Sequence, residues 1–405
     1  MSNTFSFEVL RRFPDLQADN LVAVDATDRL VLTEAATAIG ATAPGQVVVV
    51  GDRYGAMTLG ALALHGARDV RVHQDPITGE QALARNAIRA GDGLRTALAG
   101  GFGHLPLTPE LFTGATVVIG QLPKSLDALR EITQLAATNA DADVTMFLGG
   151  RIKHMTHAMN DVLNDSFTEV RASLAQQKSR VLVASGRRPE ATSGQGVGGG
   201  STPYPLRQHH LDLDVWVCAH GAAFAGTKID IGTRFILEFL DRMQPDASTA
   251  VDLGCGTGVI ATVLARARPR LRVLATDQSA GAVSSAMATV AANGLAGRVR
   301  VLRDDAMSTL ADASVDLVVC NPPFHLGTSV HSGASVKLFQ AAGRVLKPGG
   351  QLWTVFNSHL PYPSQLTRAV GRTRVVGRNT KFTVAVSTRR SESCGSSLRT
   401  NNRSD

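Results

Sequence analysis

The segment Asn321-Pro322-Pro323-Phe324 combines residue types that can hold an amino group attached to a planar ring. It directly follows the apolar run Leu317–Cys320, which predicts a buried strand. The amide oxygen of Asn321 and the backbone carbonyl of Pro322 can each accept one N–H of the amine, and Pro323 stiffens the segment. Phe324 can stack on the ring. Because the amine's lone pair is delocalised, it must be oriented rather than deprotonated, and orientation can supply about 7–11 kcal/mol of a barrier. The alternative interpretation is a turn that only ends a strand.

A glycine-rich turn in the same half of the chain is suited to a nucleotide cofactor. It joins the predicted strand Thr249–Leu253 to the predicted helix Val259–Ala267, and its glycines allow positive φ and close approach of a ligand. Asp277 ends the next predicted strand, where its carboxylate can accept both hydroxyls of a ribose. Nicotinamide enzymes and S-adenosylmethionine enzymes share this arrangement.

Two details favour S-adenosylmethionine as the cofactor. The glycines are spaced GxGxG rather than GxGxxG, and Asp252 lies two residues before the first of them. A carboxylate there attracts the ammonium group of a methionine moiety and repels a pyrophosphate. After the predicted strand Arg298–Leu302, Asp305 can accept the adenine amino group beside the small Ala306, although the pair Asp304-Asp305 also fits a solvated turn. The cofactor residues predicted in this region are Asp252, Gly254, Cys255, Gly256, Gly258, Asp277, Gln278, Asp305 and Ala306.

The two halves of the chain look like copies of one α/β unit. In the first half the interval from Gly51 to Asp75 is 24 residues, and in the second the interval from Gly254 to Asp277 is 23. We therefore predict an internal duplication with two tandem doubly wound, Rossmann-like sheets. The first copy has Arg53 where a glycine of the turn is expected, which indicates a retained fold with a degenerate site.

Composition sets the domain organisation and excludes several classes of protein. The chain has 405 residues, of which 44% are hydrophobic, and its four cysteines form no CxxC pair, which argues against a disulfide scaffold and a metal cluster. No apolar run is long enough to span a membrane, and the start of the chain lacks the apolar region of a signal peptide, so a cytoplasmic protein is expected. The predicted segments are a degenerate domain at 1–185, a Gly/Ser-rich linker at 186–204, a catalytic domain at 205–388 and a disordered basic tail at 389–405.

Charge differs between the halves. Residues 1–200 carry 18 Lys and Arg against 20 Asp and Glu, whereas residues 201–405 carry 23 against 14. A basic second half is typical of a protein that meets a polyanion. The basic residues predicted to contact RNA are Arg368, Arg372, Arg374, Arg378 and Lys381, with Arg298, Arg300 and Arg303 as a second group. The alternative for any single arginine is a surface charge that takes no part in recognition.

Together these motifs resemble the class I methyltransferases that make N2-methylguanine in 16S or 23S ribosomal RNA, which are tandem duplications with a degenerate first copy. The resemblance rests on Gly254–Gly258, Asp277, Asp305, Asn321–Phe324 with His325, the lead-in Phe224 and Lys228–Arg234, and the later segments Phe356–Tyr362 and Asn379–Phe382. It implies S-adenosylmethionine as cofactor, ribosomal RNA or a ribosomal subunit as partner, and a target guanine that is single-stranded or flipped out. It also implies that Asp230 or Thr233 closes over the cofactor. It implies neither a metal nor a membrane, and it leaves the oligomeric state open, with a monomer compatible.

The sequence motifs leave other functions open. Asn-Pro-Pro-Phe also occurs in adenine-N6 methyltransferases, and Asn-Pro-Pro-Tyr in enzymes that methylate a protein glutamine; the duplication and the basic second half favour RNA. A cytosine-C5 enzyme needs a nucleophilic cysteine, and Cys320 is expected to be buried and inert. A non-catalytic RNA-binding assembly factor is the remaining alternative, but it has no need of intact glycines. The first half is expected to position RNA or to support folding of the second.

Overall fold

The computed structural model describes residues 5–15, 17, 21–90, 101–188, 203–322 and 329–390. Each half of the chain forms a seven-stranded sheet, and the strand order 3-2-1-4-5-7-6, numbered along the chain within each seven-stranded sheet, is the same in both. In each sheet only the last strand along the chain runs antiparallel to the others. This repeated topology confirms the predicted tandem doubly wound α/β fold.

The first half contains seven strands and six helices within the described ranges. The strands are β1 (Val47–Val50), β2 (Val70–His73), β3 (Phe102–His104), β4 (Val117–Gln121), β5 (Thr145–Arg151), β6 (Phe167–Ala172) and β7 (Ser179–Arg187). The helices are α1 (Ala26–Gly40), α2 (Ala56–His65), α3 (Ile77–Arg89), α4 (Pro109–Phe112), α5 (Leu126–Asn139) and α6 (His157–Asn164).

The second half begins with a hairpin, β8 and β9, and continues with its own sheet. The strands are β8 (Leu206–His210), β9 (Val215–Ala219), β10 (Thr249–Leu253), β11 (Arg272–Asp277), β12 (Val299–Arg303), β13 (Val315–Cys320), β14 (Leu346–Asn357), β15 (Gly371–Arg378) and β16 (Phe382–Arg389). The helices are α7 (Ile231–Leu237), α8 (Val259–Ala267), α9 (Ala280–Ala292), α10 (Ser329–Val345) and α11 (Tyr362–Ala369).

Apolar layers cover both faces of each sheet. In β1, Val47 and Val49 pack into the core on one face, and Val48 and Val50 into the core on the other. A strand that is buried on both sides has no solvent face, which is why it is a run of four valines rather than an alternating pattern.

The register of the two copies corrects the alignment made from sequence. The Gly51 N–H donates to the carbonyl of His73 (3.0 Å), and the Gly254 N–H donates to that of Thr276 (2.8 Å). His73 therefore corresponds to Thr276, so the counterpart of Asp277 is Gln74, and Asp75 lies one position further along. The prediction that paired Asp75 with Asp277 is wrong by one residue, because it matched the nearest acids instead of the strand hydrogen bonds.

Two predicted segment boundaries fall inside strands. The residues after Ser185 were expected to hold no packed element, but β7 continues to Arg187, which pairs with Phe167. Likewise β16 continues to Arg389, which pairs with Gly371. Residues 189–202 of the predicted linker and 391–405 of the predicted tail lie outside the described residues. Within the described ranges, no helix is both long and apolar enough to cross a membrane.

Candidate active site

A cavity of about 410 Å³ lies at the carboxyl ends of β10, β11, β12 and β13. The strand order of the sheet reverses between β10 and β13, which is where doubly wound folds bind ligands. The cavity brings the predicted cofactor turn together with the predicted acceptor segment. The predicted residues that line it are Asp230, Thr233, Gly254, Cys255, Gly256, Asp277, Gln278, Asp305, Ala306, Asn321 and Pro322. Pro323 and Phe324 lie outside the described residues.

The glycine turn leaves space in the cavity for a ligand. Gly254 and Gly256 have φ of +70° and +53°, and a Cβ on either would meet no atom of the described residues within 4 Å. Gly258 serves a different purpose, because a Cβ there would lie 2.9 Å from the Cβ of Ala286 in α9. The first two glycines thus keep the floor of the cavity open, and the third allows the turn to pack against a neighbouring helix.

The Asp277 carboxylate is held by the backbone at the edge of this floor. One oxygen accepts the Gly256 N–H (3.0 Å), and the other accepts the Ser279 N–H (2.9 Å). Burial raises the pKa of Asp277, and the two N–H donors act in the opposite direction. The carboxylate is therefore fixed in one orientation toward the cavity, as binding of two neighbouring hydroxyls requires.

Asp252 does not line the cavity. Its neighbours Val251 and Leu253 pack on one face of the sheet, so its side chain lies on the other, where Oδ2 accepts the Ala261 N–H (2.9 Å) at the start of α8. Its Oδ1 is buried and has no hydrogen-bond partner within the described part of the chain. Burial raises the pKa of Asp252 to about 7. The predicted contact between this acid and an ammonium group stays a prediction.

The neighbouring acids Asp304 and Asp305 have separate environments. Asp304 is buried and accepts hydrogen bonds from the hydroxyls of Ser308 and Thr309, so it organises its own loop. Asp305 lines the cavity and pairs with Lys337 of α10 at 2.6 Å. Sequence reasoning missed Lys337, since the two residues are 32 positions apart and no local pattern joins them.

Asn321 is oriented by two residues of the lead-in segment. Its Nδ2 donates to Asp230 Oδ2 (3.0 Å) and to Thr233 Oγ1 (3.0 Å). A carboxylate can only accept, so the amide nitrogen faces Asp230 and the amide oxygen faces away from it. That oxygen is buried, and no described residue forms a hydrogen bond with it. Asp230 and Thr233, expected to close over the cofactor, are therefore in direct contact with the predicted acceptor residue.

The cysteines near the site are not poised for nucleophilic attack. Cys320 is completely buried, and burial raises the pKa of its thiol far above the usual range. Burial does the same for Cys255, with the nearby Asp277 and Asp252 adding to the effect. The prediction that Cys320 is buried is confirmed, and its environment stabilises the neutral thiol rather than the thiolate.

The basic residues predicted to contact RNA are not among the described residues that line the cavity. They lie on α11, on the edge strand β15 and in the turn before β16. All are exposed: Arg368, Arg372, Arg374, Arg378 and Lys381. A β-bulge between Val375 and Gly377 shifts the pairing of β15 with β16. Arg374 pairs with Val386, whereas Arg378 pairs with Thr383. Alternate residues of β16 face opposite sides, so Arg374 and Arg378 lie on different faces of the sheet.

Arg303 of the second predicted group does not belong to an RNA surface. Its guanidinium pairs with Glu80 of the first domain at 2.6 Å and donates to the carbonyl of Gln74, also at 2.6 Å. Arg298 donates to the carbonyl of Arg268 (2.9 Å), and Arg300 is exposed. The expectation for Arg303 is wrong because the first domain covers it.

The first domain keeps the backbone conformation of the turn but carries larger side chains in it. Arg53 has φ of 52°, nearly the 53° of its counterpart Gly256, so an arginine adopts a glycine conformation there. The Asp52 carboxylate accepts two backbone N–H groups at the start of α2 (2.7 and 2.8 Å), and the Tyr54 hydroxyl donates to Asp15 (2.5 Å). Asp52, Arg53 and Tyr54 thus give this turn a different side-chain chemistry from that of the second copy, as expected for a degenerate copy.

Comparison with known proteins decides the family. The family model described as methyltransferase small domain matches residues 214–386, and that described as RLMG N-terminal domain matches residues 1–188. Ribosomal RNA large subunit methyltransferase G of Streptomyces avermitilis is 33% identical over 390 residues, which cover 95% of this chain and 97% of the relative. The chain belongs to the ribosomal RNA large subunit methyltransferase G family. The Streptomyces coelicolor member is 34% identical over 95% of this chain and 98% of its own, and that of Shewanella amazonensis is 32% identical over 93% and 94%.

Membership of the methyltransferase G family confirms the resemblance seen in the sequence. Among solved structures, the 16S rRNA N2 methyltransferase RsmC of T. thermophilus, in complex with AdoMet and guanosine, matches with a TM-score of 0.67. The match is 19% identical in sequence and covers 90% of this chain and 92% of the RsmC chain. At this identity the structural similarity shows the tandem fold alone.

Proposed function

We propose that this protein transfers a methyl group from S-adenosylmethionine to the exocyclic N2 amine of a guanine in large-subunit ribosomal RNA. The observation that carries the proposal is the buried Oδ1 of Asn321, which has no hydrogen-bond partner among the residues that the structure describes. Asn321 lines the same cavity as an open glycine turn. Buried acceptors are normally hydrogen-bonded, so this oxygen is suited to accept an N–H group of a bound substrate. The relatives named above supply the ribosomal substrate class.

The cavity residues fit S-adenosylmethionine. A volume of about 410 Å³ lies in the range of small-molecule sites, and the floor at Gly254 and Gly256 is open. Asp277 would bind the ribose hydroxyls, and Asp305 would bind the adenine amino group. When bound, the cofactor supplies an electrophilic methyl carbon.

The chain's own part in the reaction is to orient the amine. Asn321 Oδ1 and the Pro322 carbonyl would each accept one N–H of guanine N2, which directs the nitrogen lone pair toward the cavity. Asp230 and Thr233 hold the Asn321 amide from behind, so the acceptor does not rotate when the substrate binds. Phe324 would stack on the base. The proton leaves to solvent after transfer, when the nitrogen has become cationic.

RNA binding would extend beyond the cavity. The exposed residues Arg368, Arg372, Arg374, Arg378 and Lys381 are proposed to contact phosphates, with the group on each face of β15 meeting a different part of the RNA. The partner would be the RNA itself or an assembling subunit, and the protein would act in the cytoplasm, where that substrate is found.

The test is to methylate ribosomal RNA from a strain that lacks this protein, using labelled S-adenosylmethionine, and to identify the product by nucleoside mass spectrometry. N2-methylguanosine in large-subunit RNA is expected, and Asn321→Ala should form it at least about 100-fold more slowly. N6-methyladenosine would establish the adenine alternative, and RNA binding without any methylated nucleoside would establish a non-catalytic factor.

A further inference from the structure

The two domains meet around an approximate two-fold axis beside the loop that follows Asp277. The Ile77 N–H donates to the carbonyl of Gln278 (2.9 Å), and the Ala280 N–H donates to the carbonyl of Asp75 (2.8 Å). By the register of the two copies, Ile77 corresponds to Ala280 and Asp75 to Gln278. The same pair of hydrogen bonds is thus made once in each direction, and the degenerate copy is attached directly to the loop that carries Asp277.

The Asp75 side chain adds contacts to the second domain that do not follow this symmetry. Its Oδ1 accepts the Ser279 hydroxyl (2.8 Å) and the Gly281 N–H (2.8 Å), so it caps the N-terminus of α9 from the other domain. Ser279 in turn donates its own N–H to Asp277 (2.9 Å). Position 281 suits a glycine, because a Cβ there would lie 2.8 Å from that of Ala222. A continuous chain of hydrogen bonds therefore runs from Asp75 through Ser279 to Asp277.

A second connection holds the adenine side of the cavity. Arg303 ends β12, two residues before Asp305, and its guanidinium pairs with Glu80 and donates to the carbonyls of Gln74 (2.6 Å) and Asp75 (3.0 Å). The loops that carry Asp277 and Asp305 are thus both fixed to the first domain.

The first domain also reaches the cavity itself. Thr78 and Asp15 both contribute to its wall, together with Gln278 of the second domain. Asp75 adds to the rise in the pKa of Asp277, although burial is the larger cause. A neutral acceptor at position 75 would keep the hydrogen bonds without this repulsion.

We propose that Asp75 is a positioning residue for the adenosine half of the cofactor, acting through Ser279 on Asp277. The degenerate copy has lost its own site and now orients the ribose-binding carboxylate of the other. This inference rests on the proposed function, because it assumes that the cavity binds S-adenosylmethionine. Orienting a ligand-binding group before the ligand arrives lowers the entropic cost of binding.

The test measures binding of S-adenosylhomocysteine to the full-length chain by calorimetry. Asp75→Ala should raise Kd about fivefold to tenfold, as expected for loss of a helix cap that transmits to the ligand. Asp75→Asn keeps the Oδ1 acceptor and should stay within about twofold of wild type. The matched control is Asp25→Ala, which removes the cap of α1, where Asp25 accepts the Thr27 N–H (2.7 Å), and should also stay within about twofold. In turnover assays, Asp75→Ala should raise KM for S-adenosylmethionine and leave kcat unchanged.

The outcomes separate the inference from the function on which it rests. Wild-type protein that does not bind S-adenosylhomocysteine would overturn the proposed function. Wild-type binding with equal affinity in Asp75→Ala would overturn the positioning role alone, as would an equal loss of affinity in Asp25→Ala. If Asp75→Ala does not fold, Ser279→Ala decides: it should weaken binding severalfold, and unchanged affinity would refute the role.

Discussion

Replacement of Asn321 by alanine tests the proposed chemistry most directly. The variant loses the buried Oδ1, which would accept a hydrogen bond from an amine that becomes cationic during transfer. Hydrogen bonds to charged groups contribute about 1.5–3 kcal/mol, which corresponds to a factor of about 10–150 in rate. Loss of orientation adds to this, so we expect kcat to fall at least about 100-fold. Affinity for S-adenosylhomocysteine should change little, because Asn321 is expected to contact the acceptor rather than the cofactor.

The structure also limits what this variant does to folding. Asp230 Oδ2 retains the Gly232 N–H (2.9 Å) and the Thr233 N–H (3.3 Å), so no buried carboxylate is left unpaired. The assay is single-turnover methyl transfer at saturating cofactor, with calorimetry for binding. Asn86→Ala is the control: Asn86 is equally an internal amide, donating to the Arg11 carbonyl (2.8 Å) in the first domain, and its loss should lower stability without lowering kcat. Weakened cofactor affinity with preserved turnover in Asn321→Ala would refute the assigned role.

Three further predictions follow from the geometry. Thr233→Val removes one of the two acceptors that hold the Asn321 amide. Loss of this hydrogen bond costs about 0.5–1.5 kcal/mol, so the single-turnover rate should fall about 2- to 10-fold. An unchanged rate would show that Thr233 does not orient Asn321. Burial raises the pKa of Asp252 from 3.8 to about 7. Between pH 3.8 and about 7 the folded chain therefore keeps a proton on Asp252 that the unfolded chain has lost. The free energy of unfolding consequently falls as the pH rises through this range. Asp252→Asn should therefore be more stable than wild type at about pH 8 and equal to it near pH 4 in urea titrations, whereas equal stability at both would contradict a buried acid with a raised pKa. The double replacement of Arg372 and Arg374 by alanine should lower the slope of log Kd against log salt by about 1.4 if both contact phosphates of single-stranded RNA, and an unchanged slope would remove them from the interface.

The local chemistry of the site could be predicted from the sequence. Gly254 and Gly256 require positive φ and open space, and Asn321 follows a buried strand, so residue type and spacing were sufficient to predict both motifs. The duplication was visible because strands, turns and helices recur in the same order. Alignment of Asp75 with Asp277 failed because the register of a parallel sheet is set by hydrogen bonds and not by residue type.

The support of the site depends on contacts between residues that are far apart in the chain. Asp230 is 91 residues from Asn321, and Asp75 is 204 residues from Ser279. In each case a common polar residue acquires its role only because folding brings one particular partner within hydrogen-bond distance. The sequence by itself thus determined which groups could perform the chemistry, since backbone conformation and side-chain type are local properties. Only the tertiary structure decided which residues orient them, because a directional hydrogen bond depends on the relative placement of two elements that no local pattern encodes.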